Sequence, residues 1–172
     1  MNKILKISLC VLFIITGFIL AASLYFQYGE GLQPCPLCIM QRICVFFLFI
    51  SGAMLLWTRQ HRWLKRLLVL QIFFAASGIF FAGRQVWLQS LPADQIPACL
   101  PGLDALLHYF PWQDILHALF WGSGDCAEIN WQWLGLSMPV WSLLYFLAVF
   151  CAFIFLFLLV NKQNLFAKAS SS

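Results

Sequence analysis

Charge is what this chain has least of. Ten Lys or Arg and six Asp or Glu are spread over 172 residues, 9% in all, while 63% of the residues are hydrophobic and the mean hydropathy is +0.87. A water-soluble domain of this size has no interior large enough to hide that much apolar surface, so the composition points to an integral membrane protein. The net charge of +4 invites a nucleic-acid partner, but the basic residues are not gathered on a soluble face, and that class is excluded as well. Also missing are an internal repeat, a low-complexity linker and the alternating apolar–polar pattern of a membrane barrel. In hydrocarbon every backbone amide must be satisfied internally, which leaves helices.

Four stretches almost free of charge are long enough to serve. They run from about Ile7 to Phe26, Cys38 to Trp57, Leu67 to Trp87 and Pro139 to Val160. Each approaches the roughly 20 residues needed to cross a hydrocarbon layer of about 30 Å. The expected fold is all-α, a four-helix transmembrane bundle forming one domain over residues 1–172. Two outward loops, about 27–37 and 89–138, join the spans. Orientation follows from the basic residues. Lys3, Lys6, Arg59, Arg62, Lys65, Arg66, Lys162 and Lys168 fall on one side, eight of the ten, and the positive-inside rule makes that side cytoplasmic. All six acids, Glu30, Asp94, Asp104, Asp114, Asp125 and Glu128, fall on the other. Both termini are therefore expected inside.

The first span carries a basic start and small residues at Ala21, Ala22 and Ser23, as a signal peptide does. Its apolar core is longer than such a peptide needs, so it is read as a retained helix. The tryptophans sit at span ends or in the second outer loop, as interfacial anchors do. The tail "NKQNLFAKASSS" reads as a frayed cytoplasmic end.

Seven cysteines divide by this topology. Cys10, Cys44 and Cys151 fall inside spans, where a free cysteine is a small buried hydrophobe. Cys35, Cys38, Cys99 and Cys126 face the oxidising side, two in each outer loop, and outward cysteines are expected to pair. The first two form "CPLC", a Cys-x-x-Cys at a helix start, the arrangement that lowers a thiol pKa and makes a disulfide easy to exchange. Arg42 lies four residues after Cys38, on the same helix face and one turn deeper, where a cation can favour a thiolate or an anionic ligand. The opposing reading is a structural staple with a snorkelling arginine. A staple closing so short a loop restrains little, and an arginine at the membrane needs a reason, so the redox reading is preferred. Arg84, near the outer end of the third span, fits snorkelling and ligand contact equally.

Cys99 and Cys126 lie in the Pro- and Gly-containing second loop. Within it, "PWQDILHALFW" has an apolar side and predicts a short helix on the membrane surface. His108 and His117 read as ordinary residues of this region, and His61 as part of the basic inner loop. Four outward cysteines could bind Zn²⁺, but Cys99 and Cys126 lack half-site spacing, so no metal is expected.

"PCPLCIMQR" and "GDCAEINWQWLGLSMPVW" together resemble the DsbB family of inner-membrane disulfide-generating proteins, and the likeness runs over essentially the whole chain. The resemblance implies a thiol:quinone oxidoreductase of the bacterial inner membrane. It implies that a periplasmic DsbA-type thioredoxin-fold partner reduces a Cys99–Cys126 disulfide, with Cys99 carrying the mixed disulfide. Exchange between the loops would then reduce Cys35–Cys38, and Cys38 beside Arg42 would pass the electrons to ubiquinone or menaquinone. Met138 and Trp131 correspond to positions near the quinone ring, though interfacial packing explains them equally. The sequence departs from the family pattern at Pro36, at Gln41, where an acid is common, and at Gln85, where some relatives have a histidine. Arg84 is the candidate to replace that histidine. Two further functions remain open: a paralogue serving one dedicated partner, and a structural tetraspan protein with stapling disulfides.

Overall fold

The computed structural model describes residues 3–31, 34–58, 60–97, 111–129 and 131–169. Four long helices form the body: α1 (Lys3–Tyr28), α2 (Pro36–Trp57), α3 (His61–Gln89) and, last in the chain, α5 (Met138–Ala169). Each contains a stretch long and apolar enough to cross a membrane, Leu5–Tyr28, Pro36–Trp57, Arg62–Gln89 and Met138–Lys162. The short helix α4 (Trp112–Trp121) lies between α3 and α5 in sequence. The protein is a multi-pass membrane protein with a four-helix transmembrane fold.

Lipid removes most of the hydrophobic drive that packs helices in water, so close fit and buried polar contacts must hold the bundle. Helix α3 is central, packed on α2 and on α5, while α1 rests chiefly on α2. At Gly78 of α3 a Cβ would stand 2.2 Å from the Phe146 ring of α5, so only glycine admits that ring. Gln71 of α3 donates to the Leu48 carbonyl of α2 at 3.1 Å, and Tyr145 of α5 donates to Thr16 of α1 at 3.0 Å. The outward faces carry Ile14, Phe18, Phe73, Phe155 and Leu158, exposed apolar side chains that suit hydrocarbon.

Two features differ from expectation. Helix α5 continues through Asn161 to Ala169, where a frayed end was expected. Residues 161–169 contain neither Gly nor Pro, so nothing interrupts the ladder. The segment between α4 and α5 also contains a hairpin, β1 (Gln132–Trp133) paired with β2 (Leu136–Ser137). Its two turn residues, Leu134 and Gly135, have φ of 53° and 76°, the pair of positive values a type I′ turn requires. The short helix expected in this loop is present as α4, with Ile115 and Ala118 buried and Trp112, Leu116 and Phe120 exposed.

Candidate active site

Cys35 caps α2 in an extended conformation, and Pro36 occupies the first helical position, where its missing N–H leaves no bond unmade and its fixed φ suits the helix. This start places Cys38 one turn in, with its Sγ 3.1 Å from that of Cys35. Cys126 reaches the same place from the segment between α4 and α5. Helix α4 ends at Gly122, whose φ of 82° and ψ of 168° belong to a region essentially restricted to glycine. A Cβ there would also stand 2.7 Å from Leu88 and 2.8 Å from Leu37. The chain then makes a single 3-10 turn, Gly124–Cys126, which leaves Cys126 fully buried against Cys35.

The sulfurs share protons unequally. The Cys35 thiol donates to Cys126 and to Cys38, and those bonds together with burial hold it far above the ordinary thiol range. Cys126 is lowered to about 7, first by accepting from Cys35, then by the backbone N–H groups of Leu37 and Ser123, against the upward push of burial. Leu37 N–H is one of the amides a helix leaves unpaired at its start, so the end of α2 serves a sulfur from the other loop. The arrangement favours a proton on Cys35 and a thiolate on Cys126.

Gln85 of α3 reaches the pair from the side. Its Nε2 lies 3.2 Å from Cys38 Sγ and 3.4 Å from Cys35 Sγ, while its Oε1 accepts from Gln41 Nε2 at 2.7 Å and stands 3.5 Å from Cys38 Sγ. Both amides are buried. The sequence marked these glutamines only as departures from a family pattern; the available signal was two polar side chains within otherwise apolar spans.

Arg42 lies one turn deeper than Cys38 and engages α1. Its Nη2 donates to the Ser23 carbonyl at 2.9 Å and its Nη1 to Gln27 Oε1, while its Nε is buried and bonded to no described group. Trp131 packs edge-on against Phe26 at 5.4 Å, and Met138 opens α5 half-buried. Arg84 is held elsewhere. Its Nε donates to the Trp121 carbonyl at 3.1 Å, and its guanidinium lies 4.1 Å from the centre of the Trp87 ring and 5.3 Å from that of Trp121. It thereby ties α3 to the end of α4.

Cys99 and His108 lie outside the described residues. Cys44 is buried in the core, Cys10 is half-buried, and Cys151, expected to be buried, faces outward from α5. His117 is exposed on α4. Among the described residues, no three His, Cys, Asp or Glu side chains are disposed to hold a metal ion.

Residues 6–156 match the family described as Disulfide bond formation protein DsbB. A Disulfide bond formation protein B from Nitrosococcus oceani is 46% identical over 138 residues, covering 78% of this chain and 80% of the relative. One from Acinetobacter baumannii is 43% identical over 145 residues, 81% and 82% of the two chains. Disulfide bond formation protein B 1 of Pseudomonas aeruginosa is 41% identical over 133 residues, 76% and 80%. With a family match over most of its length and relatives this similar, the chain belongs to the DsbB family, membrane oxidoreductases of disulfide bond formation.

Proposed function

We propose that this single four-span domain reoxidises a periplasmic DsbA-type dithiol protein and passes the electrons to a membrane quinone, with both termini cytoplasmic and the reactive cysteines periplasmic. The observation that carries the reading is Cys126 lowered and buried against Cys35 at the mouth of α2. A thiolate beside one sulfur of a Cys-x-x-Cys is the reactant pair for disulfide exchange.

The steps balance. A partner thiolate attacks Cys99 of an oxidised Cys99–Cys126 pair, forming a mixed disulfide and releasing Cys126 as thiolate. Cys126 attacks Cys35, the Cys35–Cys38 bond breaks, and Cys38 leaves as thiolate. The second partner thiol displaces Cys99, so the partner departs oxidised, having lost two electrons and two protons. Cys99 then attacks Cys126, restoring the loop disulfide and returning Cys35 as thiol. The reduced Cys35–Cys38 pair now holds the two electrons.

A quinone, when bound, supplies a two-electron, two-proton acceptor at this point. The residues present fit one: Arg42 Nε is a buried donor with no described partner, one turn from Cys38, and Phe26, next in the chain to the Gln27 that Arg42 bonds, pairs with the Trp131 ring. Arg42, Trp131 and Met138 are the residues that would hold it, the arginine binding a ring oxygen. Arg84, bonded to α4, is supported as a loop anchor more than as a quinone contact. The acceptor matters energetically. A DsbA-type oxidant lies at about −120 mV, so a loop disulfide of ordinary potential could not reoxidise it downhill without a stronger sink.

The test is quinone absorbance over time, with purified protein in detergent, reduced DsbA-type partner and either ubiquinone or menaquinone. Loss of the oxidised-quinone band is expected, abolished separately by Cys38→Ser and Cys99→Ser, and Arg42→Ala should raise the apparent KM for quinone about tenfold or more. No turnover with either quinone, despite intact disulfides, would leave the cysteines as structural staples.

A further inference from the structure

We infer that Gln41 and Gln85 form an amide relay that turns a hydrogen-bond donor onto the Cys35–Cys38 pair, Gln85 touching the sulfurs and Gln41 fixing its orientation. The inference rests on reading Cys35 and Cys38 as the redox pair and adds a group that the family assignment does not supply.

A carboxamide has two unlike faces. Its oxygen only accepts and its NH₂ only donates. An uncommitted Gln85 could present either face to the sulfurs, and the two have opposite consequences: the nitrogen stabilises a thiolate, the oxygen repels one. Gln41 resolves the choice. By donating to Gln85 Oε1 at 2.7 Å it engages the oxygen, which stands 3.5 Å from Cys38 Sγ, and leaves Nε2 as the nearer face, 3.2 Å from Cys38 and 3.4 Å from Cys35. A thiolate accepts such a bond more strongly than a thiol does, because a charged acceptor shortens and strengthens it.

Burial makes the geometry consequential. Gln85 is 4% exposed and Gln41 6%, so little water competes for either amide. Two glutamines in otherwise apolar spans are costly unless each is bonded, and here they satisfy one another and the sulfurs. The titratable groups facing Cys38 are Cys35 on the helix cap and Cys126 from the second loop. From α3 the facing group is the uncharged Gln85. Arg42, on the same helix, directs its terminal nitrogens to α1. The relay therefore supplies α3's direct polar contact with the sulfur that leaves when Cys126 attacks Cys35.

The experiment uses the full chain in detergent, fully reduced and without quinone or partner, and reads alkylation of the Cys38 peptide by iodoacetamide with mass spectrometry. Gln85→Met keeps the volume and removes the donor. The Cys38 rate at neutral pH should fall about tenfold and recover at higher pH, since a lost donor lowers the thiolate fraction and leaves access open. Gln41→Leu should give a smaller loss, about threefold, because Gln85 keeps its donor but loses its orientation. In the Gln85→Met background, Gln41→Leu should change nothing further.

Cys44, buried in the core, reports the fold and should stay unmodified throughout. An unmoved Cys38 rate in Gln85→Met with Cys44 still protected overturns the relay, as does an equal effect of Gln41→Leu in both backgrounds. Should Gln85→Met expose Cys44, Gln41→Leu decides alone: a slower Cys38 that recovers with pH supports the relay, and an unchanged one removes it. Turnover is not part of this readout. An unaltered chain that reduces no quinone sinks the proposed function, whereas one that turns over with unmoved Cys38 rates overturns the relay only.

Discussion

Cys126 is subject to two opposing influences. Burial pushes its thiol up, while the Cys35 thiol and the amides of Leu37 and Ser123 pull it down, to about 7. The folded value thus lies below the ordinary 9.0, so Cys126 contributes stability above that ordinary value and loses it as pH falls through about 7. The same shift governs reactivity, with thiolate falling about tenfold for each unit below the midpoint. Cys35→Ala removes the largest downward influence, and the Cys126 midpoint should return toward 9.0. Titrating the thiolate ultraviolet band of the reduced chain, with Cys126→Ser subtracted, measures both. An unmoved midpoint in Cys35→Ala would mean that the α2 amides, not the neighbouring thiol, set the reactivity of Cys126. Part of this site was legible at the residue level. A Cys-x-x-Cys before an apolar run announces a helix-mouth thiol by its spacing alone. The donor on Gln85 was not legible, because Gln41 and Gln85 meet across two helices and no periodicity links them.

Elements hold these residues in register, and Arg84 is the clearest instance. Through its bond to the Trp121 carbonyl and its stacking on Trp87 and Trp121, it fixes the end of α4, five residues before Cys126. Exposed cation–aromatic contacts are worth about 0.5–1 kcal/mol each. Arg84→Ala should therefore raise hydrogen exchange in 111–126 and slow partner-dependent turnover roughly two- to tenfold, with the KM for quinone unchanged. A raised quinone KM with normal exchange protection would return Arg84 to the quinone site, where the sequence had offered it. The long helices were readable because an apolar run of that length has few alternatives in lipid. The hairpin was not: its turn needs positive φ at Leu134, and leucine carries no signature for that conformation. Nor could the sequence show that Arg84 would meet α4, since that contact depends on where a loop helix lands.

At the scale of the molecule, orientation decides whether any of this chemistry operates. A disulfide relay persists only in an oxidising compartment, so the proposed function requires α4 and the mouth of α2 to face the periplasm. The basic residues argue for it, with Arg62, Lys65 and Arg66 at the start of α3, the opposite end of that helix from Gln85. Both ends offer exposed positions for labelling, Gln113 on α4 and Arg62 on α3. In a chain with its native cysteines replaced, Gln113→Cys should react with an impermeant maleimide in intact spheroplasts. Arg62→Cys should react only after the membrane is opened. The reverse pattern would turn the bundle over and place Cys35, Cys38 and Cys126 in a reducing cytosol. No relay to an extracytoplasmic partner could then run, however well the three sulfurs are arranged.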